Sequence, residues 1–379
     1  MTSRRIAILM SDTGGGHRAA AEAIVQALAR EFPQQYDAIL FDGFKQAAIF
    51  PFNHVPSWYL PFTTYFEFLW HALFVASNNR FAATTAQVLF DGVMARGIRK
   101  FFRAYQPELV VSTHPIINAF ARRSLRAVGS RAPFVTVVTD LFDAHILWFD
   151  PDVDLCTVPT DGAREKGLRA GMPAEKMRVV GEPVSLKFID GVSGQLEARA
   201  KLGLAPNQST ILLVGGGEGM GKLYEIARAI DNAKLSAQLV IIAGRNEALR
   251  RRLQATTWQI PVRIEGFVTN MPDWMYAADV IITKAGPGTI SEAMACGLPI
   301  LLSGFLPGQE TGNVTFVEQS GIGVLQKNPD EIARTLGEWL KPGNDMLARL
   351  AMRSHKLSRP RAALEIAKLI DQMLNARSP

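Results

Sequence analysis

Short runs of consecutive apolar, often β-branched residues recur along the chain. Each passes through glycine or polar residues into apolar positions spaced three and four apart. The first pattern is that of fully buried parallel strands, the second that of amphipathic helices. It predicts strands at residues 6–10, 37–42, 109–112, 134–139 and 155–158. After a break near 179–184 it resumes with strands at 210–214, 238–243, 262–264 and 280–283. Helices are predicted between them at 19–30, 116–128, 196–202, 223–234, 247–254 and 289–296. Two more are expected beyond Pro329, the last over about 361–374. Such alternation is the signature of an α/β fold. At 379 residues the chain is too long for one ordinary core. The expected architecture is two doubly wound, Rossmann-like domains facing a cleft, with the C-terminal helix crossing back. The first would take residues 1–184 plus about 356–379, the second 185–355.

Residues 44–80 break the pattern. Aromatics crowd there, Trp58, Tyr59 and Trp70 among them, with Glu67 the only acid and prolines at 51, 56 and 61. Such a segment can pack on a sheet as core, or lie in a membrane interface, where half-wet aromatic rings are favoured. A basic cluster follows at helical spacing, Arg96, Arg99, Lys100 and Arg103. It suits a solvated face or anionic lipid headgroups. No stretch has the length and apolarity of a membrane-spanning helix. The net charge of +6 comes from basic and acidic residues balanced in both halves, which excludes a nucleic-acid-type basic block. Cys156 and Cys296 lack metal or redox spacing, so a reducing compartment is expected. Residues 1–12 read as a first strand rather than a signal peptide.

Candidate chemistry gathers where strands end in glycine. Ala285-Gly286-Pro287-Gly288 separates a strand from a helix that starts near Thr289. Free amides and the helix dipole make such a junction an anion seat. Residues 215–222, GGGEGMGK, offer further backbone N–H groups to a phosphate. They match the spacing of a P-loop, yet Leu223 stands where that motif needs Ser or Thr for magnesium. Lys284 and Arg245 could counter a diphosphate. Thr289-Ile290-Ser291-Glu292 has the form of a capping box, which would make Glu292 structural; its carboxylate would equally suit two ribose hydroxyls. His17, after Gly14-Gly15-Gly16 at a helix start, is a candidate general base. Gln309 and Glu310 suit sugar hydroxyls. Thr113-His114-Pro115 and Thr139-Asp140 fall at strand ends, where α/β folds bind ligands. His145 and Trp148 follow in the next loop. The Asp152-Val153-Asp154 triplet reads as a loop rim before it reads as a metal site.

SDTGGGHRAAAEAI, TDL followed by WFDP, GGGEGMG, GRN, GFVTNM, DVIITKAGPGTISEAMACGLPI and GQETGN together resemble the monogalactosyldiacylglycerol synthases of chloroplasts and photosynthetic bacteria. With the processive diacylglycerol glucosyltransferases and the lipid II-forming N-acetylglucosaminyltransferase, these form one family of inverting GT-B enzymes. The likeness runs to about residue 340. It implies an acceptor domain followed by a UDP-sugar domain, and His17 as general base. Gly216, Gly217, Glu218, Gly219, Met220, Gly286, Pro287, Gly288 and Thr289 would hold the donor diphosphate. Arg245, Phe267, Val268 and Glu292 would hold the uridine, and Gln309 and Glu310 the sugar. Gly16, Trp58, Tyr59, Trp70, His145 and Trp148 would serve the acceptor and the membrane.

The expected reaction moves a hexose from a UDP-hexose to 1,2-diacylglycerol with inversion. Galactose is the first expectation and glucose the alternative. No metal or other cofactor is expected. The expected partners are diacylglycerol and a membrane surface, with anionic lipids possible and no nucleic acid. A chain opening on its first strand suggests a bacterial cytoplasmic enzyme bound peripherally to the membrane. Two rivals are a UDP-sugar 2-epimerase and a non-catalytic UDP-sugar-binding membrane protein.

Overall fold

The computed structural model describes residues 3–13, 15–190 and 194–376; Gly14, part of the glycine run before His17, lies outside them. Twelve strands alternate with helices among the described residues. The strands are β1 (Arg4–Met10), β2 (Tyr36–Asp42), β3 (Leu109–Ser112), β4 (Phe134–Val137), β5 (Leu155–Val158), β6 (Met177–Val179), β7 (Ser209–Val214), β8 (Ala237–Ile242), β9 (Val262–Glu265), β10 (Val280–Lys284), β11 (Ile300–Gly304) and β12 (Gly323–Leu325). The helices are α1 (Gly16–Glu31), α2 (Gly43–Ala47), α3 (Val55–Tyr65), α4 (Glu67–Ser77), α5 (Arg80–Tyr105), α6 (Asn118–Ala127), α7 (Asp161–Arg169), α8 (Gln195–Leu202), α9 (Leu223–Asn232), α10 (Glu247–Gln254), α11 (Met271–Ala277), α12 (Pro287–Ala295), α13 (Thr311–Gln319), α14 (Pro329–Trp339), α15 (Met346–Leu357) and α16 (Ala362–Asn375).

The chain divides into two compact units. One comprises Met1–Leu186, Leu306–Gly312 and Pro360–Pro379; the other comprises Lys187–Phe305 and Asn313–Arg359. Residues 306–312, assigned from sequence to the second domain, pack with the first. Three helices follow Pro329 where two were expected, because 346–357 forms one of its own.

The first unit is built on a parallel sheet of order β2-β1-β3-β4-β5-β6. Ala7, Leu9, Val110, Phe134 and Cys156 bury one face of it against Ile98, Phe102 and Phe120 of the helices. Helix α16 belongs to this unit and packs on α1; the Tyr36 hydroxyl donates to Asp371 over 2.5 Å, and Lys368 lies 3.3 Å from Glu31. The second unit repeats the plan with order β12-β11-β10-β7-β8-β9. Ile211, Leu213, Leu239, Ile241, Val280 and Ile282 form its core with Ile226 and Ile230.

Strand order reverses between β1 and β3 in the first sheet and between β7 and β10 in the second. Ligands of open α/β sheets sit outside the carboxyl ends of strands at such switch points. His17 follows β1 and His114 follows β3, while the GGGEGMG run follows β7 and α12 follows β10. Each unit thus places its candidate chemistry at its own switch point.

The aromatic segment is largely helical. Pro56 lies in the first turn of α3, where its missing N–H costs nothing, and Pro61 is tolerated inside that helix. None of the helices among the described residues is long and apolar enough to cross a membrane.

Candidate functional site

In the second unit, β7 runs into a tight glycine turn. The Gly219 N–H donates to Gly216 O at 3.1 Å, and the Met220 N–H to Gly215 O at 2.8 Å. Those two amides are therefore spent on the turn, contrary to the expectation that they meet a phosphate. The amides of Gly217 and Glu218 remain for a ligand. Gly219 sits at φ +62°, and a Cβ there would lie 2.0 Å from the Ala243 carbonyl oxygen. At Gly244, a Cβ would lie 2.4 Å from Gly217 O. Only glycine lets these two backbones touch, which is why the run is so rich in it.

Arg245, on the turn after β8, has its guanidinium 4.3 Å from the Phe267 ring centroid and 2.7 Å from the Glu218 carboxylate. That ion pair is solvent-exposed and correspondingly weak, so an arriving phosphate could replace it. Phe267 is 53% exposed, leaving a ring face for stacking, and Val268 beside it is half-buried.

Helix α12 begins at Pro287 with Gly286 as N-cap, and no side chain caps it. Thr289 therefore lies within the first turn, and the capping box read from sequence does not form. Its first free amides are those of Gly288 and Thr289. Among the described residues Glu292 makes no side-chain hydrogen bond or ion pair. Burial pushes its carboxyl up to about 7. Half-buried and not capping its own helix, the carboxylate has its oxygens available to accept hydrogen bonds. Glu292→Gln is expected to stabilise the fold at pH 8 by on the order of 1–2 kcal/mol. The sign follows from a carboxyl whose folded value lies above its ordinary 4.5: the ionised form burdens the fold above pH 7, and the burden vanishes as pH falls toward 4.5. Urea unfolding at several pH values would measure the gain, and calorimetry should show weaker UDP binding by the same variant.

In the first unit, α1 starts after Gly15 at φ +83°, putting His17 in its first turn. Its Nδ1 lies 3.3 Å from the Thr139 hydroxyl. The His114 ring meets it edge-on at 4.6 Å, and the Trp148 ring lies 5.9 Å away. The Thr113 hydroxyl donates to the His17 carbonyl at 3.0 Å. Desolvation among these rings lowers the imidazole to about 4, opposed weakly by a backbone hydrogen bond at Thr113. No carboxylate pairs with His17 among the described residues, so it is held neutral at physiological pH. Gly16 is exposed beside it.

The remaining acceptor candidates divide. Trp58 is 50% exposed. Trp148 is fully buried and donates its indole N–H to Asp140 at 2.6 Å. His145 is also buried, with Nδ1 accepting the Leu147 N–H and Nε2 lying 3.1 Å from the Ser77 hydroxyl; burial lowers it to about 4. Tyr59 and Trp70 pack on each other inside the helical hairpin. Of these five, Trp58 alone is exposed.

Gln309 accepts from the Tyr59 hydroxyl at 2.9 Å, and Glu310 accepts the Leu306 N–H at 2.8 Å. The Asp150–Asp154 rim is engaged by arginine: Arg122 grips Asp150 and Asp152, and Arg126 lies 3.6 Å from Asp154. His114 was missed as a partner of His17. Its Nδ1 is buried without a partner and its Nε2 lies 3.3 Å from the Thr13 hydroxyl. Its place at the end of β3, beside the switch point, was the signal available in the sequence.

Two family models match successive parts of the chain. The family model described as monogalactosyldiacylglycerol (MGDG) synthase matches residues 17–184, and that of the glycosyltransferase family 28 C-terminal domain matches residues 210–372. The chain is 39% identical over 389 residues to the chloroplastic monogalactosyldiacylglycerol synthase of Spinacia oleracea, covering 99% of this chain and 73% of that protein. Among solved structures, MurG of Acinetobacter baumannii superposes with a TM-score of 0.63 at 14% identity, covering 97% of this chain and 99% of that one. CalG4, the calicheamicin glycosyltransferase, superposes with a TM-score of 0.66 at 15% identity, with each chain covered fully. These two speak for the fold alone, and it is the expected GT-B fold. With 39% identity to the spinach protein running through both units, the chain belongs to the monogalactosyldiacylglycerol synthase family of glycosyltransferases.

Proposed function

We propose that the protein transfers galactose from UDP-galactose to the free hydroxyl of 1,2-diacylglycerol, giving a β-galactosyl diacylglycerol with inversion. The observation that carries this reading is the near-full-length identity to a monogalactosyldiacylglycerol synthase. In it, neutral His17 takes the proton of the acceptor hydroxyl as its oxygen attacks the anomeric carbon. Charge building on the departing UDP is met by the amides of Gly217, Glu218, Gly288 and Thr289, by the α12 dipole and by Arg245. Fixed dipoles aimed at the leaving group leave no step of this mechanism that calls for a metal ion. Phe267 and Val268 would hold the uracil, Glu292 the ribose, and Gln309 with Glu310 the hexose.

The lipid side of the reading rests on the outer surface of α3–α5. Tyr65, Phe66, Phe68, Leu69, Leu73, Val75, Phe81, Val88 and Leu89 are all exposed there. Scattered exposed apolar residues are ordinary, but a run of this density marks an interaction surface. We assign it to peripheral contact with a membrane that presents the acceptor. Arg96, Lys100 and Arg103 on α5 are exposed and suit anionic headgroups.

Mass spectrometry of lipids formed from UDP-galactose and diacylglycerol vesicles tests the reading. A product one hexose heavier than the diacylglycerol is expected. Hydrolysis or epimerisation of the donor with no lipid product would overturn it.

A further inference from the structure

Tyr59 and Trp58 are adjacent in α3 but differ in their surroundings. Trp58 is half exposed, whereas the Tyr59 ring packs perpendicular to Trp70 of α4, with centroids 5.4 Å apart. Trp70, Phe74 and Ser77 recur at three- and four-residue spacing and so share the inner face of α4. That face receives the segment 306–312. A Cβ on Gly308 would lie 2.9 Å from Phe74, and one on Gly312 would lie 2.6 Å from the Asp143 backbone. The segment is also tied internally, since Glu310 accepts the Leu306 N–H and the Gly308 N–H donates to Thr311 Oγ1 at 3.0 Å. With the backbone pinned in this way, the one freedom that matters at Gln309 is the rotation of its amide.

A side-chain amide turned by 180° exchanges donor for acceptor, and only its partners fix which end points where. The Tyr59 hydroxyl donates to Gln309 Oε1. Burial and the neighbouring charge of Glu310 raise the phenol further, keeping it a donor. The Gln309 Nε2 group is thereby left as the end available to a ligand. We propose that Tyr59 is a specificity-determining positioning residue: by holding Gln309 Oε1, it presents the amide N–H groups to a hexose hydroxyl and sets the discrimination between UDP-galactose and its C4 epimer UDP-glucose. This rests on the reading that Gln309 and Glu310 hold the transferred sugar.

The test compares kcat/KM for UDP-galactose and UDP-glucose, with diacylglycerol in phosphatidylcholine vesicles. The variants are Tyr59→Phe, Gln309→Ala and the pair. The wild-type protein should favour one hexose. Tyr59→Phe removes one hydrogen bond and should shrink the ratio roughly fivefold, chiefly through KM of the favoured donor. Gln309→Ala should shrink it at least as far, and the double variant no further. Vesicle binding by Tyr59→Phe should match wild type. Should Tyr59→Phe fail to fold, Gln309→Glu keeps an acceptor for the Tyr59 hydroxyl but removes the amide N–H groups, and it should shrink the ratio as far as Gln309→Ala; a preserved ratio would overturn the proposal.

Parallel loss with both donors, an unchanged ratio, or equal use of both hexoses by the wild type would overturn the proposal while leaving a transferase. A wild-type protein that transfers neither hexose would overturn the underlying reading, and the proposal with it.

Discussion

His17→Ala is expected to lower kcat by about 10² to 10⁴ while leaving UDP affinity, measured by calorimetry, unchanged. The magnitude is that of a lost general base, and the split follows from the location of His17 in the unit that lacks the glycine turn and α12. The pH profile gives a second reading. An exposed histidine would begin to protonate near 6.5, but enclosure by His114, Trp148 and Thr139 brings His17 down to about 4. The base must be neutral to accept a proton. The acid limb of kcat/KM attributable to His17 should therefore lie near pH 4, with full neutrality kept at pH 6. Asp140, pushed up to about 6 by burial, titrates in between, and Asp140→Asn separates its contribution. Near-normal turnover by His17→Ala would remove His17 from the chemistry altogether.

Much of this fold is legible in the sequence because buried parallel strands are written as continuous apolar runs. Residues 280–283 and 109–112 read as strands without any partner in view, and the glycines after residues 10 and 214 announce where each turns into a helix. The start of α12 was read two residues late, at Thr289, for a local reason. Thr-x-x-Glu and Pro287 are competing start signals two residues apart, and proline at the first helical position prevails. That outcome releases Glu292 from a structural role. The α3–α4 hairpin was obscured by prolines and by residues apolar on both faces, a pattern with no period to read. The allegiance of residues 306–312 was not legible at all. It is decided by contacts such as Gly308 on Phe74, more than 200 positions away in the chain. Trp58 and Tyr59 show the same limit: neighbours of one chemical kind, one exposed and one enclosed, told apart only by what folds against them.

Phe68→Ser combined with Leu73→Ser is expected to weaken binding to diacylglycerol-containing vesicles on the order of 100-fold. Phe68 is 85% exposed and Leu73 52% exposed, so neither contributes much to the core and the fold should tolerate both changes. On α4 Phe68 points away from the face that carries Trp70, Phe74 and Ser77, and Leu73 lies at the exposed edge of that face. Two such side chains entering the acyl boundary would each contribute about 1.5 kcal/mol, at the lower end of the range for burying a large apolar group. Turnover of a short-chain diacylglycerol dispersed in solution should stay near wild type, because the surroundings of His17 are untouched. Salt dependence separates the two attractions. Residual vesicle binding by the double variant should fall steeply with added NaCl if Arg96, Lys100 and Arg103 meet anionic headgroups, and barely change on vesicles of phosphatidylcholine alone. Unaltered partition would show that the exposed run serves some other contact. Equal loss with the dispersed acceptor would instead mean that α4 shapes the acceptor site itself, and the membrane assignment of this surface would have to be given up.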